Sequence, residues 1–111
     1  MIYTSTALGI TVTELLERAA DRIETKDWQT GNYGGNDGPN CVVGAVLREA
    51  EAASGGKYVS CNWVESLVRP GLPEGHQNPV HWNDYHCPDR AAAADVLRMA
   101  AKAAAKTMDL S

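Results

Sequence analysis

The sequence predicts a mainly α-helical fold: one compact domain over residues 1–111, with about four helices, an extended N-terminus and two long ordered loops. Three observations predict it. Apolar residues recur at helical spacing in separate stretches. Those stretches begin at capping residues and stop at Gly-Gly or Pro. No sheet is legible between them. The composition adds that there are 16 alanines and no phenylalanine. The core must therefore be built from Leu, Val, Ala, Met and a few Trp and Tyr, and such small side chains imply closely approaching helices.

Residues 1–10 read as an extended tail. Thr11-Val12-Thr13-Glu14 forms a capping box, in which Thr11 caps the backbone and Glu14 reaches back to it. The helix that follows, about 12–26, places Val12, Leu15, Leu16, Ala19 and Ile23 on one face, and Trp28 should fold back onto that face. Residues 29–40 are loop, dense in Gly, Asn and Asp. Asn40 is the expected N-cap of a second helix, about 41–53, with Cys41 in its first turn and a stop at Ser54-Gly55-Gly56. Ser60 caps a short third helix, about 61–68, which Arg69-Pro70 ends. Residues 69–81 hold Pro70, Gly71, Pro73, Gly75 and Pro79 and read as irregular.

The last helix starts near Pro88-Asp89 and runs to about Asp109. Its charged residues Asp95, Arg98, Lys102, Lys106 and Asp109 form one narrow stripe, and nearly everything else is Ala, Val, Leu or Met. Such a helix is covered on most of its circumference. It is either the central core helix, with Leu97 inside, or partly a face for a second copy around Ala93, Ala100 and Ala104. The chain is thus expected as monomer or homodimer.

Charge and cysteine usage limit the function classes. The formal charge is −4 and the basic residues are scattered, so no phosphate-backbone or other nucleic-acid binder is expected. Three cysteines without a Cys-x-x-Cys pair fit reduced thiols of a cytoplasmic protein better than a disulfide framework. Met1 to Leu8 carries no basic residue ahead of an apolar run, so no signal peptide is expected, and no stretch is apolar enough to span a bilayer.

Four constellations bear chemistry. Cys41 at a helix start is a candidate nucleophile, with His81 as base and Asp84 orienting it; its structural reading is a small buried side chain behind the glycine-rich loop. Cys41, Cys61, Cys87, His76, His81 and His86 are zinc-ligand types, but their spacings lack the short pairs of a zinc site, so neither metal nor cofactor is expected. The loop Gly31 to Pro39 lacks the Gly-Lys-Ser/Thr and the preceding strand of a phosphate loop, and reads as a shaped surface loop. Trp82-Asn83-Asp84 caps the last helix or ties a loop; it is also, with Tyr33, the candidate binding set, and Trp63, Trp82, Tyr58 and Tyr85 could line an aromatic patch. If the two clusters build one site, Cys41 and the Trp82–Asp84 segment must lie within side-chain reach of each other, with Cys41 buried.

Three blocks together resemble a family of small uncharacterised proteins of actinobacteria and their bacteriophages: Leu16-Glu17-Arg18-Ala19-Ala20-Asp21 with Trp28, Cys41-Val42-Val43-Gly44-Ala45, and Trp82-Asn83-Asp84 followed by Val96 and the alanine-rich helix. The chain departs from that pattern at His86-Cys87-Pro88-Asp89-Arg90, where a Gly-plus-Thr helix start is expected. The resemblance implies no activity. It implies origin and fold, and by analogy a viral accessory protein in the host bacterial cytoplasm that binds a host or phage protein. A cysteine-dependent hydrolase or transferase using Cys41, His81 and Asp84 is the alternative.

Overall fold

The computed structural model describes residues 8–56 and 59–107; among them lie five α-helices and a short 3₁₀ turn, and no β-strand. The expected extended tail falls mostly on residues 1–7, outside the described residues; Leu8, which is described, is helical and buried rather than extended.

Helix α1, Val12–Lys26, buries Val12, Leu15, Leu16, Ala19, Ala20 and Ile23. Thr11 caps it by accepting from the Glu14 N–H at 3.0 Å. The Glu14 carboxylate does not complete a capping box; it pairs with Arg18 one turn on. Asp27 ends the helix at φ 82°, a conformation that a non-glycine side chain rarely adopts. It is held there by its N–H on the Ile23 carbonyl, by its carboxylate accepting the Trp28 N–H, and by Arg90. The turn delivers Trp28 to a single parallel bridge with Asn40, which closes residues 29–39 into a loop.

Helix α2, Val42–Ala53, is enclosed over its first two turns: Val42, Val43, Gly44, Ala45, Val46 and Leu47 are all buried. Its cap differs from expectation. Cys41, not Asn40, is the N-cap, its sulfur accepting from the Gly44 N–H at 3.2 Å. Asn40 is instead buried beneath the loop. Helix α3, Cys61–Val68, is capped by Ser60 as expected and runs into the 3₁₀ turn Arg69–Gly71. Gly71 has no alternative there, since a Cβ on it would stand 2.0 Å from the Val96 carbonyl oxygen.

Helix α4, Pro79–Tyr85, lies in the stretch read as irregular and as a polar lead-in to the last helix. Asn78 caps it by accepting from the His81 N–H at 3.0 Å, with Pro79 in the first position where its missing N–H costs nothing. Helix α5, Arg90–Thr107, starts where expected, with the Asp89 carboxylate accepting the Ala92 N–H at 2.9 Å. The expected end at Asp109 lies outside the described residues.

The core is one cluster in which α1 lies along α5 and α2 is wrapped by α1, α3 and α4. Leu97 is fully buried, as are Ala93 and Ala101, while Ala100 and Ala104 are nearly so. The residues expected as a face for a second copy are therefore inside the chain. Conversely α5 is not the enclosed helix, because Ala91, Asp95, Met99, Lys102 and Ala105 face outward. Alanine has the highest helix propensity of all residues, and here part of the alanine content serves propensity rather than burial. Among the described residues no helix is long and apolar enough to cross a membrane.

Candidate functional site

Asn83 ties three elements together from inside the protein. It has no solvent exposure. Its Oδ1 accepts from the Trp28 indole N–H at 2.7 Å and from the Val42 N–H at 3.1 Å; its Nδ2 donates to the Gln29 carbonyl at 3.1 Å and to Asp84 Oδ1 at 3.0 Å. The two acceptor positions and both amide protons are used, the full capacity of the side chain. One residue of α4 thereby satisfies a first-turn N–H of α2 and fixes the chain leaving α1. The neighbouring Asp84 extends the tie, since its Oδ1 also accepts from the Gly31 N–H at 3.1 Å.

The loop is pinned from its other side. Arg48 of α2 donates through Nε and a terminal nitrogen to the Gly34 carbonyl, at 3.0 and 2.7 Å, and Arg22 of α1 donates to the Asn36 carbonyl at 2.8 Å. Asn40 Nδ2 donates to the Tyr33 and Gly35 carbonyls, while its buried Oδ1 takes no bond from any described residue. Gly44 permits the closest approach: a Cβ there would meet the Tyr33 carbonyl oxygen at 1.9 Å. The glycine of Cys41-Val42-Val43-Gly44 is thus required because helix and loop touch backbone to backbone.

These ties border an open cavity of about 270 Å³ lined by Gly31, Asn32, Tyr33, Cys41, Val80 and Asp84. Cys41 and the Trp82–Asp84 segment accordingly meet in one place. Cys41 is almost wholly buried. Burial pushes its thiol pKa up and the nearby Asp84 carboxylate adds to the shift; backbone N–H groups at the helix start oppose both without reversing them. The α2 positive end therefore fails to make a ready thiolate. Tyr33 is pushed up to about 12, first by burial, then by its bond to the Cys61 thiol and by the charge of Glu65.

Residues 8–103 match the model of a family of unknown function, DUF6197, a span running from the buried Leu8 through the α5 core positions and including all of the loop, Asn83 and the cavity. The chain belongs to this family. Comparison with curated proteins and with solved structures gives no match.

Within this DUF6197 fold the other sequence candidates separate. Trp82 and Asn83, two of the binding candidates, are both buried. Trp63 is half-buried on α3, Tyr85 is 75% exposed and Trp82 is buried, while Tyr58, the fourth residue of the expected aromatic patch, lies outside the described residues. His81 packs on Tyr85 and on His86, with ring centroids 4.9 and 5.3 Å apart, and His86 packs in turn on His76. It is not among the residues lining the Cys41 cavity. Among the described residues no three His, Cys, Asp or Glu side chains are grouped to hold a metal ion. Sequence reasoning passed over Val80, Arg22 and Arg48. Asn78-Pro79 was the available signal for α4 and hence for Val80, whereas nothing local marks an arginine that will clamp a distant loop.

Proposed function

We propose that this chain is a small cytoplasmic accessory protein, of an actinobacterium or its phage, that binds a protein of the host or the phage through the α4 side of the fold. The observation that carries the reading is a preformed cavity, walled by Val80 and Asp84 of α4, in the same short helix that presents exposed Tyr85 and His81. Rigid, prepaid geometry beside an exposed tyrosine is what a binding face needs, since ordering costs are met before the partner arrives. The origin rests on the resemblance of the Cys41 and Trp82 blocks. To test it, a photo-crosslinking phenylalanine analogue is placed at Tyr85 and, separately, at exposed Lys102 of α5. A discrete protein adduct from host lysate at position 85 and none at 102 supports the reading; no adduct at 85, or equal labelling at both, removes it.

A cysteine-dependent hydrolase or transferase is the second reading, carried by Cys41 and Asp84 sharing the cavity wall. Against it stand the raised thiol pKa and the packing of His81 on Tyr85 and His86. Alkylation of Cys41 by iodoacetamide at pH 7 well ahead of Cys61 and Cys87 would establish it. Slow reaction of Cys41 leaves the binding reading alone.

A further inference from the structure

We propose that the cavity between the glycine loop and α4 receives one basic side chain of the partner, its alkyl stem against Tyr33, Cys41 and Val80 and its cation on Asp84. The inference rests on the binding reading above and names the chemistry of what is bound. Size comes first. A recess of about 270 Å³ lies at the small end of ligand sites and has room for a single inserted side chain.

Charge comes second. Most acids that the fold immobilises already hold an arginine: Asp27, Glu49, Glu51 and the acidic row of α1 are all ion-paired. Asp84 is immobilised as well, by the Gly31 N–H and Asn83 Nδ2, yet no described Lys or Arg pairs with it. Both of those bonds fall on Oδ1, and Oδ2 accepts from no described residue. A carboxylate held in place by neutral donors, in the wall of a cavity with apolar sides, is complementary to a cation on an aliphatic stem. Lysine and arginine bury such stems while the head group finds a polar partner. The chain's net charge of −4 favours a basic partner at longer range.

The competing occupant is an anion at the N-terminus of α2. That helix end has little to offer one, because its Val42 N–H is taken by Asn83 and its Gly44 N–H by the Cys41 sulfur, and Asp84 would repel it.

The test is a set of amide NMR titrations of the full chain with n-butylammonium, n-butanol and butyrate, which share one stem and differ in charge. Butylammonium should move the Gly31, Asn32 and Val80 amides and bind about tenfold or more tighter than butanol, with butyrate weakest. Added salt should weaken butylammonium alone. Asp84→Asn, which keeps an acceptor for Gly31, should bring butylammonium down to the level of butanol, and Val80→Trp should abolish both by filling the cavity. The salt comparison is made on the parent chain, so it stands even if a variant fails to fold. Equal binding of amine and alcohol, preference for butyrate, or shifts mapping elsewhere on the surface would each overturn the proposal. A crosslinked partner at Tyr85 without amine binding would leave the binding reading intact and remove only this inference; amine binding without a crosslinked partner would keep a site for an alkyl cation and overturn its assignment to a partner's side chain.

Discussion

At the scale of single residues, the sites with most at stake are the buried polar ones, because a polar group removed from water costs little when paired and much when orphaned. Asn83→Ala would leave the Val42 N–H, the Trp28 indole N–H and the Gln29 carbonyl without their partner. A loss of about 2–4 kcal/mol in urea unfolding is expected, with a shift in tryptophan fluorescence as Trp28 is released. Cys41 makes a gentler case. Its sulfur does the work of a capping oxygen, so Cys41→Ser should stay within about 1 kcal/mol of the parent while Cys41→Ala loses the cap and costs about 1–2 kcal/mol. If Ser and Ala behave alike, the thiol contributes packing and not a cap. Why serine does not stand there already is answered by its surroundings, since the site is buried and apolar, and cysteine fills such space as a small hydrophobe.

Between elements, the closest contacts are made through residues with almost no side chain. Gly44→Ala would force the Tyr33 carbonyl away from α2, and because the obstacle is backbone the loop must shift. The expected cost is about 1–3 kcal/mol, and the displaced loop should lose protection from amide exchange at Gly31 and Asn40, whose N–H groups bond to Asp84 and to the Asp27 carbonyl. The α1–α5 seam is handled differently. The buried residues of the two helices are aliphatic, mostly alanine and leucine with Val12, Ile23 and Val96, and the edge is one guanidinium, Arg98, shared by Glu17, Asp21 and Glu24. This cluster is part-exposed, so Arg98→Met is expected to cost only about 1 kcal/mol, shrinking as salt is added. Leu97→Ala, in the fully buried face, should cost about 2–5 kcal/mol. The contrast between the two variants, read from thermal melts at low and high salt, separates the ionic edge from the apolar seam.

For the whole molecule, one consequence gathers contributions from separate places. Burial raises the pKa of the Cys41 thiol, lifts Cys87 to about 11 from 9.0 and lifts Tyr33 to about 12 from 10.0. A raised acid pKa means that the unfolded chain releases its proton first as pH rises. The folded state then binds more protons than the unfolded one, and stability falls with increasing pH. Stability is fully present well below pH 9 and declines as pH passes the unfolded values of thiol and phenol, 9.0 and 10.0. Urea midpoints at pH 8 and pH 11 should show a lower value at pH 11. Tyr33→Phe, which cannot ionise, should narrow the gap; an unchanged gap in that variant would show that the alkaline loss arises elsewhere.

What was legible in the sequence was local. Helical periodicity and capping chemistry act within a few residues, so α1 appears with its bounds and its Thr11 cap, α3 with Ser60, and the start of α5 with Pro88-Asp89. The burial of Leu97 also follows from pattern, since a leucine facing away from a charged stripe has one direction in which to go. The cap of α2 was misassigned by one residue because Asn40 and Cys41 compete for the position, and local preference favours Asn. The decision came from the fold, which spends Asn40 on the loop carbonyls and leaves the sulfur for Gly44. Helix α4 is too short for periodicity and was hidden among prolines. The enclosure of α2, the outward face of α5, the arginines that clamp the loop and the cavity at Asp84 are all products of contacts between residues distant in sequence. The tie from Asn83 to Val42 spans 41 positions, and no residue type or spacing at either end encodes the partner at the other.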